Sequence, residues 1–451
     1  MKLSVLARSH RRVPTVTGVL PLMALLCCQP LVNLSASAQV NRPIPYPAFP
    51  SPQFVHAVEA GTRTLTGVPG DAYWTNRAEY RIDATLSPYT NMLRGTEEIV
   101  YHNSSPDTLR RIVVNLYQNL HAEGVVRSEA VEVTGGMSVS RVALNGVDLV
   151  ESRPVSPWRR QRGPISTSYS VIGTTMIIQV PDGVAPGSAA RLNLSWSFTI
   201  PERGAPRMGQ DGDVYYLGYW YPQVAVYDDL SGWDMDPYAG EGEFYMGYAD
   251  YEVAITLPHG WLVGATGVLQ NPHAVLTEQT RNRLASASTT DSVVQVVTAD
   301  ERVASISTAE SATGALTWRF KADNVRDFAF GASASYVWDA TRARVGDLDG
   351  DGTTDYAAIH SLYRPDARTW DKQAGYAAYS IDFLSRTVMP YPYPQMTSVE
   401  GIIGGGMEYP MITLIGGNRD ESRLMSVTIH ELAHMWFPMI VGQDEKAYTW
   451  M

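Results

Sequence analysis

The sequence predicts a β-rich N-terminal domain built of antiparallel sheets, followed by the start of a domain that mixes strands with helices. Two observations carry this. From about Asn76 to Trp338 apolar residues recur at every second position, the mark of strands with one buried face, and past Trp338 they fall at helical spacing. With 451 residues, 45% of them apolar and 10% aromatic, the chain can form two or three domains with large cores and falls outside the disordered class.

Residues 1–38 read as a secretory signal peptide. Lys2, Arg8, Arg11 and Arg12 precede the apolar run Val19 to Val32, and the small residues Ala36-Ser37-Ala38 offer a cleavage site. A membrane anchor needs about 20 unbroken apolar residues, and Pro21 and Pro30 interrupt this run. Cys28 as a lipidation site would want a small residue before it, and Cys27 stands there. Both cysteines lie in the leader, so the mature chain is expected to have neither thiol nor disulfide. Cleavage removes four basic residues and no acidic one, which moves the formal charge from -11 to -15 and argues against nucleic acid as a partner. No later segment is long and apolar enough to span a bilayer, so the expected location is the periplasm or outside the cell, with no membrane span after leader removal.

Residues 39–75 are expected to form a linker, extended over the proline-rich stretch RPIPYPAFPSP at 42–52. The β domain then occupies 76–338. Its clearest strands carry Tyr80/Ile82/Ala84/Leu86, Ile112/Val114/Leu116, Leu192/Leu194/Trp196/Phe198/Ile200 and Tyr251/Val253/Ile255/Leu257, separated by turn signals such as Asn145-Gly146 and Pro186-Gly187. A Ser/Thr/Ala-rich interval from Leu284 to Gly314 reads as an exposed excursion from that domain. In the second domain, 339–451, Ala377, Ile381, Leu384 and Val388 mark one face of a helix ended by Pro390.

The chemistry sits near the end. His430-Glu431-Leu432-Ala433-His434 is a His-Glu-x-x-His motif, which matters when it lies in a helix, where positions i and i+4 share a face. Asp420 is the expected N-cap, Met425, Ile429, Leu432 and Trp436 the expected buried stripe, and Pro438 the stop. Two neutral imidazoles one turn apart supply two corners of a tetrahedral zinc, and Glu431 is positioned to take the proton of a water held by that metal. Chance would give such a motif about 0.01 times in a chain of this composition, and a purely structural histidine pair is the competing reading. A metzincin would continue with Gly at 437 and His at 440; Phe437 and Ile440 exclude it. Asp444 and Glu445, the carboxylates left after His434, lie in a polar turn and read as solvated.

Upstream, Gly404-Gly405-Gly406-Met407-Glu408-Tyr409-Pro410 leads into the apolar run Met411 to Ile415. Pro410 suggests that this run is an edge strand, open to an extended substrate by strand addition, with the glycines allowing close backbone approach. Glu408 is then a carboxylate within reach of a substrate amine, 22 residues before the metal motif.

GGMEYP followed by HELAHMW resembles the paired signature of the membrane alanyl aminopeptidase family, gluzincin metallopeptidases that remove N-terminal residues. YPYPQMTSVEG and WYPQVAVYDDLSGW resemble its bacterial members too, so the likeness runs from about residue 76 to the end. The resemblance implies an N-terminal β-sheet domain followed by the start of an α+β thermolysin-like metallopeptidase domain. It implies His430 and His434 as ligands of one Zn2+, Glu431 as general base, and Gly405, Gly406, Met407 and Glu408 as the substrate-binding segment, with Glu408 on the free α-amine. The substrates would be peptides with a free N-terminus. Tyr409 stands where many relatives have Asn, which leaves the preferred residue open. The family's third zinc ligand would fall at position 453 and its oxyanion tyrosine further on, so the chain as given is expected to be C-terminally truncated and inactive by itself. A thermolysin-like endopeptidase and a non-catalytic peptide-binding protein are the competing functions.

One more motif stands apart. Asp347, Asp349, Asp351, Gly352 and Asp355 match positions 1, 3, 5, 6 and 9 of a calcium loop, but position 12 is Ala358 instead of the bidentate Glu. A Ca2+ site and an acidic surface turn both fit.

Overall fold

The structure is a computed structural model and describes residues 49–152, 166–202, 206–242 and 244–447. The expected signal peptide with its two cysteines, the first part of the expected linker and residues 448–451 lie outside the described residues.

An eight-stranded sheet dominates the first part of the chain. At its centre Arg77–Ser87 pairs antiparallel with Met92–His102 and parallel with Ala249–Pro258; the other pairings in the sheet are antiparallel. The alternation seen in the sequence is realised strictly here: Ala78, Tyr80, Ile82, Ala84 and Leu86 point inward and their neighbours outward. Ala190, Leu192, Leu194, Trp196 and Phe198 do the same on Ala189–Thr199. Leu109–Asn115 departs from the pattern. Ile112, Val113 and Val114 are all buried, because this strand lies in a separate four-stranded sheet with both faces covered.

A mixed six-stranded sheet carries the second part, in the order Val294–Val297, Val337–Gly346, Asp355–Tyr363, Gln395–Glu400, Ile412–Ile415, Gly406–Tyr409. The helix Gln373–Thr387 connects Asp355–Tyr363 to its parallel neighbour Gln395–Glu400, as a parallel pair requires. Its buried face holds Ala374, Ala377, Ser380 and Ile381, while Val388 is exposed. The helix Glu421–Ala433 packs beside it. A buried polar bridge ties both helices to the sheet: Thr428 Oγ1 donates to Gln373 Oε1 at 2.9 Å, and Gln373 Nε2 donates to Ser398 Oγ at 3.1 Å. The arrangement is β-rich antiparallel sheets followed by a smaller helical portion.

Three expectations need correction. From Pro52 on, residues 39–75 are no linker: Pro52–Glu59 is a helix, with Ser51 as N-cap and Pro52 at its first turn, where proline's missing N–H costs nothing. Arg63, just after it, pairs with Asp229 at 2.6 Å. The interval 284–314 is not an exposed excursion, since Val294–Val297 pairs with Val337–Gly346 and buries Val296 and Val297. A short run of valines among polar residues gave too few alternations to read as a strand. For the same reason the boundary at 338 falls inside a strand, and the six-stranded sheet takes its first member from the earlier segment.

Candidate active site

The metal-motif helix starts where expected. Asp420 accepts the Arg423 N–H at 2.9 Å, and the helix runs Glu421–Ala433 with His434 as C-cap. Its buried face is Leu424, Thr428, Glu431 and Leu432, with Met435 following; Met425 and Ile429 are only half-buried. Of the expected stripe, Leu432 and Trp436 are buried, while Met425 and Ile429 give way to their neighbours Leu424 and Thr428. Thr428, polar in sequence, takes a core position with its hydroxyl bonded to Gln373, and Glu431 lies buried against the strand at Gly406.

The two imidazoles meet edge to face, with His430 Nε2 and His434 Nε2 3.2 Å apart. Two ligand nitrogens at ~2.05 Å from a tetrahedral zinc are themselves about 3.3 Å apart, so this pair is spaced as metal ligands are. His434 Nδ1 donates to the Phe437 carbonyl at 3.0 Å, which fixes the tautomer and turns the lone pair of the neutral ring onto Nε2. Phe437 can accept this bond because it leaves helical geometry there, with φ -143° and ψ 113°.

Two buried carboxylates flank the pair. Glu431 is 4% exposed on the helix, and Glu408 is 3% exposed on the strand Gly406–Tyr409. Glu408 Oε1 lies 4.0 Å from His434 Nδ1. One ligand-type atom from each of Glu408, Glu431 and His434 falls within 4.8 Å of the others. His430 joins this group only through His434. Of these two groupings, the imidazole pair is the one suited to a metal, because Nδ1 of His434, on the side of Glu408, is already committed to a carbonyl.

The strand bearing Glu408 is the sheet edge. It pairs with Ile412–Ile415 through a hairpin whose turn holds Pro410 and Met411. The expectation had made the run Met411 to Ile415 the edge; that run is interior, paired on both sides, and Pro410 belongs to the turn. Gly406 and Glu408 share one face, towards the helix, and a Cβ at 406 would meet the Glu431 carboxyl group, so a larger residue there would have to displace that side chain. Met407 and Tyr409 face the β domain. Tyr409 sits fully buried among the rings of Tyr216, Tyr219 and Phe244, and a Cβ at Gly218 would strike its hydroxyl. Met407 Sδ accepts from Arg207 Nη1 at 2.8 Å. Burial first, and then the charge of Glu408, Asp327 and Glu431, drive the Tyr216 hydroxyl well above its ordinary pKa.

Several of these residues carried no sequence signal. Arg419 donates to the carbonyl oxygens of Gly404, of Gly405 at 2.9 Å and of Gly416 at 2.9 Å, pinning the glycine loop. Arg207, Tyr216 and Gly218 arrive from about 200 residues upstream through the fold alone. The carboxylates after the motif stay away from metal duty: Phe244 N donates to Glu445 Oε2 at 3.1 Å, and Asp444 Oδ1 accepts the Ala447 N–H at 3.1 Å. The acidic turn at 347–355 joins Val337–Gly346 to Asp355–Tyr363. Asp347, Asp349 and Asp355 come together there, while Asp351 accepts from Thr353. These carboxylates also accept N–H groups of their own turn, such as Gly350 N to Asp347 Oδ1 at 2.7 Å and Leu348 N to Asp355 Oδ2 at 2.8 Å.

No protein-family model matches the chain, and no curated protein matches it. Solved structures do. A two-domain M1 zinc metallopeptidase, a point mutant bound to L-arginine, superposes with a TM-score of 0.50 at 16% identity, over 85% of this chain and 69% of that one. The M1 zinc metallopeptidase from Deinococcus radiodurans gives 0.49 at 16% identity over the same shares. Legionella pneumophila aminopeptidase A, in complex with aspartic acid, gives 0.48 at 12% identity over 80% of this chain and 34% of that one. Of these the first, with its TM-score of 0.50, bears on the fold, and at 16% identity it bears on the fold alone.

Proposed function

We propose a zinc-dependent aminopeptidase that removes N-terminal residues from peptides with a free α-amine. The observation that carries this reading is the meeting of an imidazole pair spaced for a metal with two buried carboxylates from different elements, one on the helix and one on the sheet edge. A metal motif alone serves endopeptidases equally well. The second carboxylate, Glu408, is the charge complement of an α-ammonium group and gives the site its end-recognition.

His430 and His434 would hold the zinc, as two of the protein ligands such a site needs. When bound, zinc supplies a lowered water pKa, towards ~7, and polarisation of the scissile carbonyl. Glu431, buried beside the strand, takes a proton from the attacking water and returns it to the leaving amine. The edge strand Gly406–Tyr409, paired on one side with Ile412–Ile415, leaves its other side for an extended peptide, and Arg419 keeps the preceding glycine carbonyls in place. The signal-like start of the sequence supports action in the periplasm or outside the cell.

The test is Glu408→Ala in the full-length protein. Removing one partner of a buried charge pair should lower kcat/KM on an unblocked aminoacyl anilide by about a hundredfold or more, with zinc content unchanged. Full activity in that variant would refute the role of Glu408.

A further inference from the structure

Beyond the glycine loop lies a cavity of about 580 Å³ walled by Arg368, Arg419, Arg423, Gly404, Asn418 and Asp420. Three guanidinium groups against one carboxylate make it locally cationic, in a chain whose formal charge is -11. The three arginines differ in what already holds them. Arg419 is spent on the carbonyls of Gly404, Gly405 and Gly416 and forms a fixed wall. Arg423 is exposed and 3.5 Å from Asp420, a weak surface pair. Arg368 is exposed and, among the described residues, makes no ion pair. Two non-glycine residues of the walls, Thr369 and Asn418, hold left-handed backbone with φ 65° and 55°. Thr369 Oγ1 donates to the Arg419 carbonyl at 2.9 Å and so joins the two walls. A β-branched residue adopts that conformation only when its surroundings impose it.

The position of this cavity relative to the aminopeptidase site gives it a ligand. Along the edge strand, Glu408 marks the amine end of a bound peptide and Gly406, over Glu431, marks the attacked carbonyl. The leaving side of the peptide therefore continues towards Gly405 and Gly404, whose Cα atoms face open space. Gly404 is itself part of the cavity wall. From Glu408 to Gly404 is four residues, at most about 13 Å at the ~3.3 Å rise of an extended chain, since the strand ends at Gly406 and the chain bends at Gly405 and Gly404; a peptide of up to four residues spans it. We propose that this arginine-lined cavity receives the C-terminal carboxylate of a short peptide, of up to about four residues, laid along the edge strand. Arg368 and Arg423 are the specificity-determining groups, supplying charge-assisted hydrogen bonds to the carboxylate. The enzyme would then finish off small peptides in preference to trimming long chains. This inference rests on the aminopeptidase reading.

The experiment compares a tetrapeptide ending in a free carboxylate with its C-terminal amide, on zinc-loaded full-length protein at low ionic strength. An aminoacyl anilide, which has no carboxylate, serves as the third substrate. The expected result is a kcat/KM about tenfold higher for the acid than for the amide. That ratio should fall towards one in the Arg368→Gln/Arg423→Gln variant. Equal rates on acid and amide, with the anilide hydrolysed, overturn the cavity's role and leave the aminopeptidase reading standing. A ratio that survives in the variant overturns the assignment to these arginines. Failure to hydrolyse the anilide at all sinks the aminopeptidase reading and this inference with it.

Discussion

A methyl group at position 406 would stand 2.5 Å from Glu431 Cγ and closer still to its carboxyl group. The glycine there lets the edge strand lie directly against Glu431, the proposed general base. Gly406→Ala should therefore displace Glu431, lowering kcat by at least about tenfold, with overpacking costing roughly 1–3 kcal/mol of stability. Steady-state kinetics and a urea titration read the two effects separately, and a variant with wild-type kcat would show that the base does not depend on this contact. A second residue-scale expectation concerns Asp327, 1% exposed in the β domain. It accepts from Tyr221 at 2.6 Å and from the Phe328 N–H at 2.7 Å. Burial pushes its carboxyl from the ordinary 3.8 up to about 7. Because the folded state holds this proton more tightly, the group's contribution is complete below about pH 4. It declines as pH rises to about 7, by an amount on the order of 4 kcal/mol. Asp327→Asn, which keeps an acceptor without the charge, should flatten that part of the pH profile. Equal slopes of the urea midpoint between pH 4.5 and 8 in both proteins would contradict it.

At the scale of elements, the helix Glu421–Ala433 was legible because what starts it is local, a capping aspartate and apolar residues at helical spacing, whereas the expected stop, Pro438, lies inside a further helical segment, Met435–Ile440. Asp420→Ala should cost about 1 kcal/mol by leaving the Arg423 N–H without its acceptor, measured as a lower denaturation midpoint. An unchanged midpoint would mean that packing alone sets the helix start. The phase of its buried face was harder to read, since Thr428 and Glu431 are polar residues in the core, and their partners, Gln373 and the strand at Gly406, become known only once the fold is. The edge strand shows the same limit. GGMEYP pointed to Glu408, which lies buried on the strand Gly406–Tyr409, but Pro410 was taken to mark the strand when it marks the turn, so the edge was assigned to the wrong arm of the hairpin. Strand partners 40 or more residues apart, such as Val294–Val297 with Val337–Gly346, leave no local trace at all.

Across the whole molecule, the β domain buttresses the site. The rings of Tyr216, Tyr219 and Phe244 enclose Tyr409, so the strand that carries Glu408 is held from behind by residues far away in sequence. The segment after the metal motif is fastened the same way: Tyr248 donates to the Ile440 carbonyl, Lys446 pairs with Asp234, and Arg326 lies against Gly442. Such long-range contacts fix the angle between helix and edge strand, and with it the distance from Glu408 to the imidazole pair. A single reaction reports on the whole arrangement. Full-length, zinc-loaded protein is incubated with a defined unblocked peptide and with its N-acetylated twin, and the products are identified by mass. The account expects stepwise loss of residues from the free N-terminus and no cleavage of the acetylated peptide. Internal cleavage, or equal hydrolysis of both peptides, would contradict it.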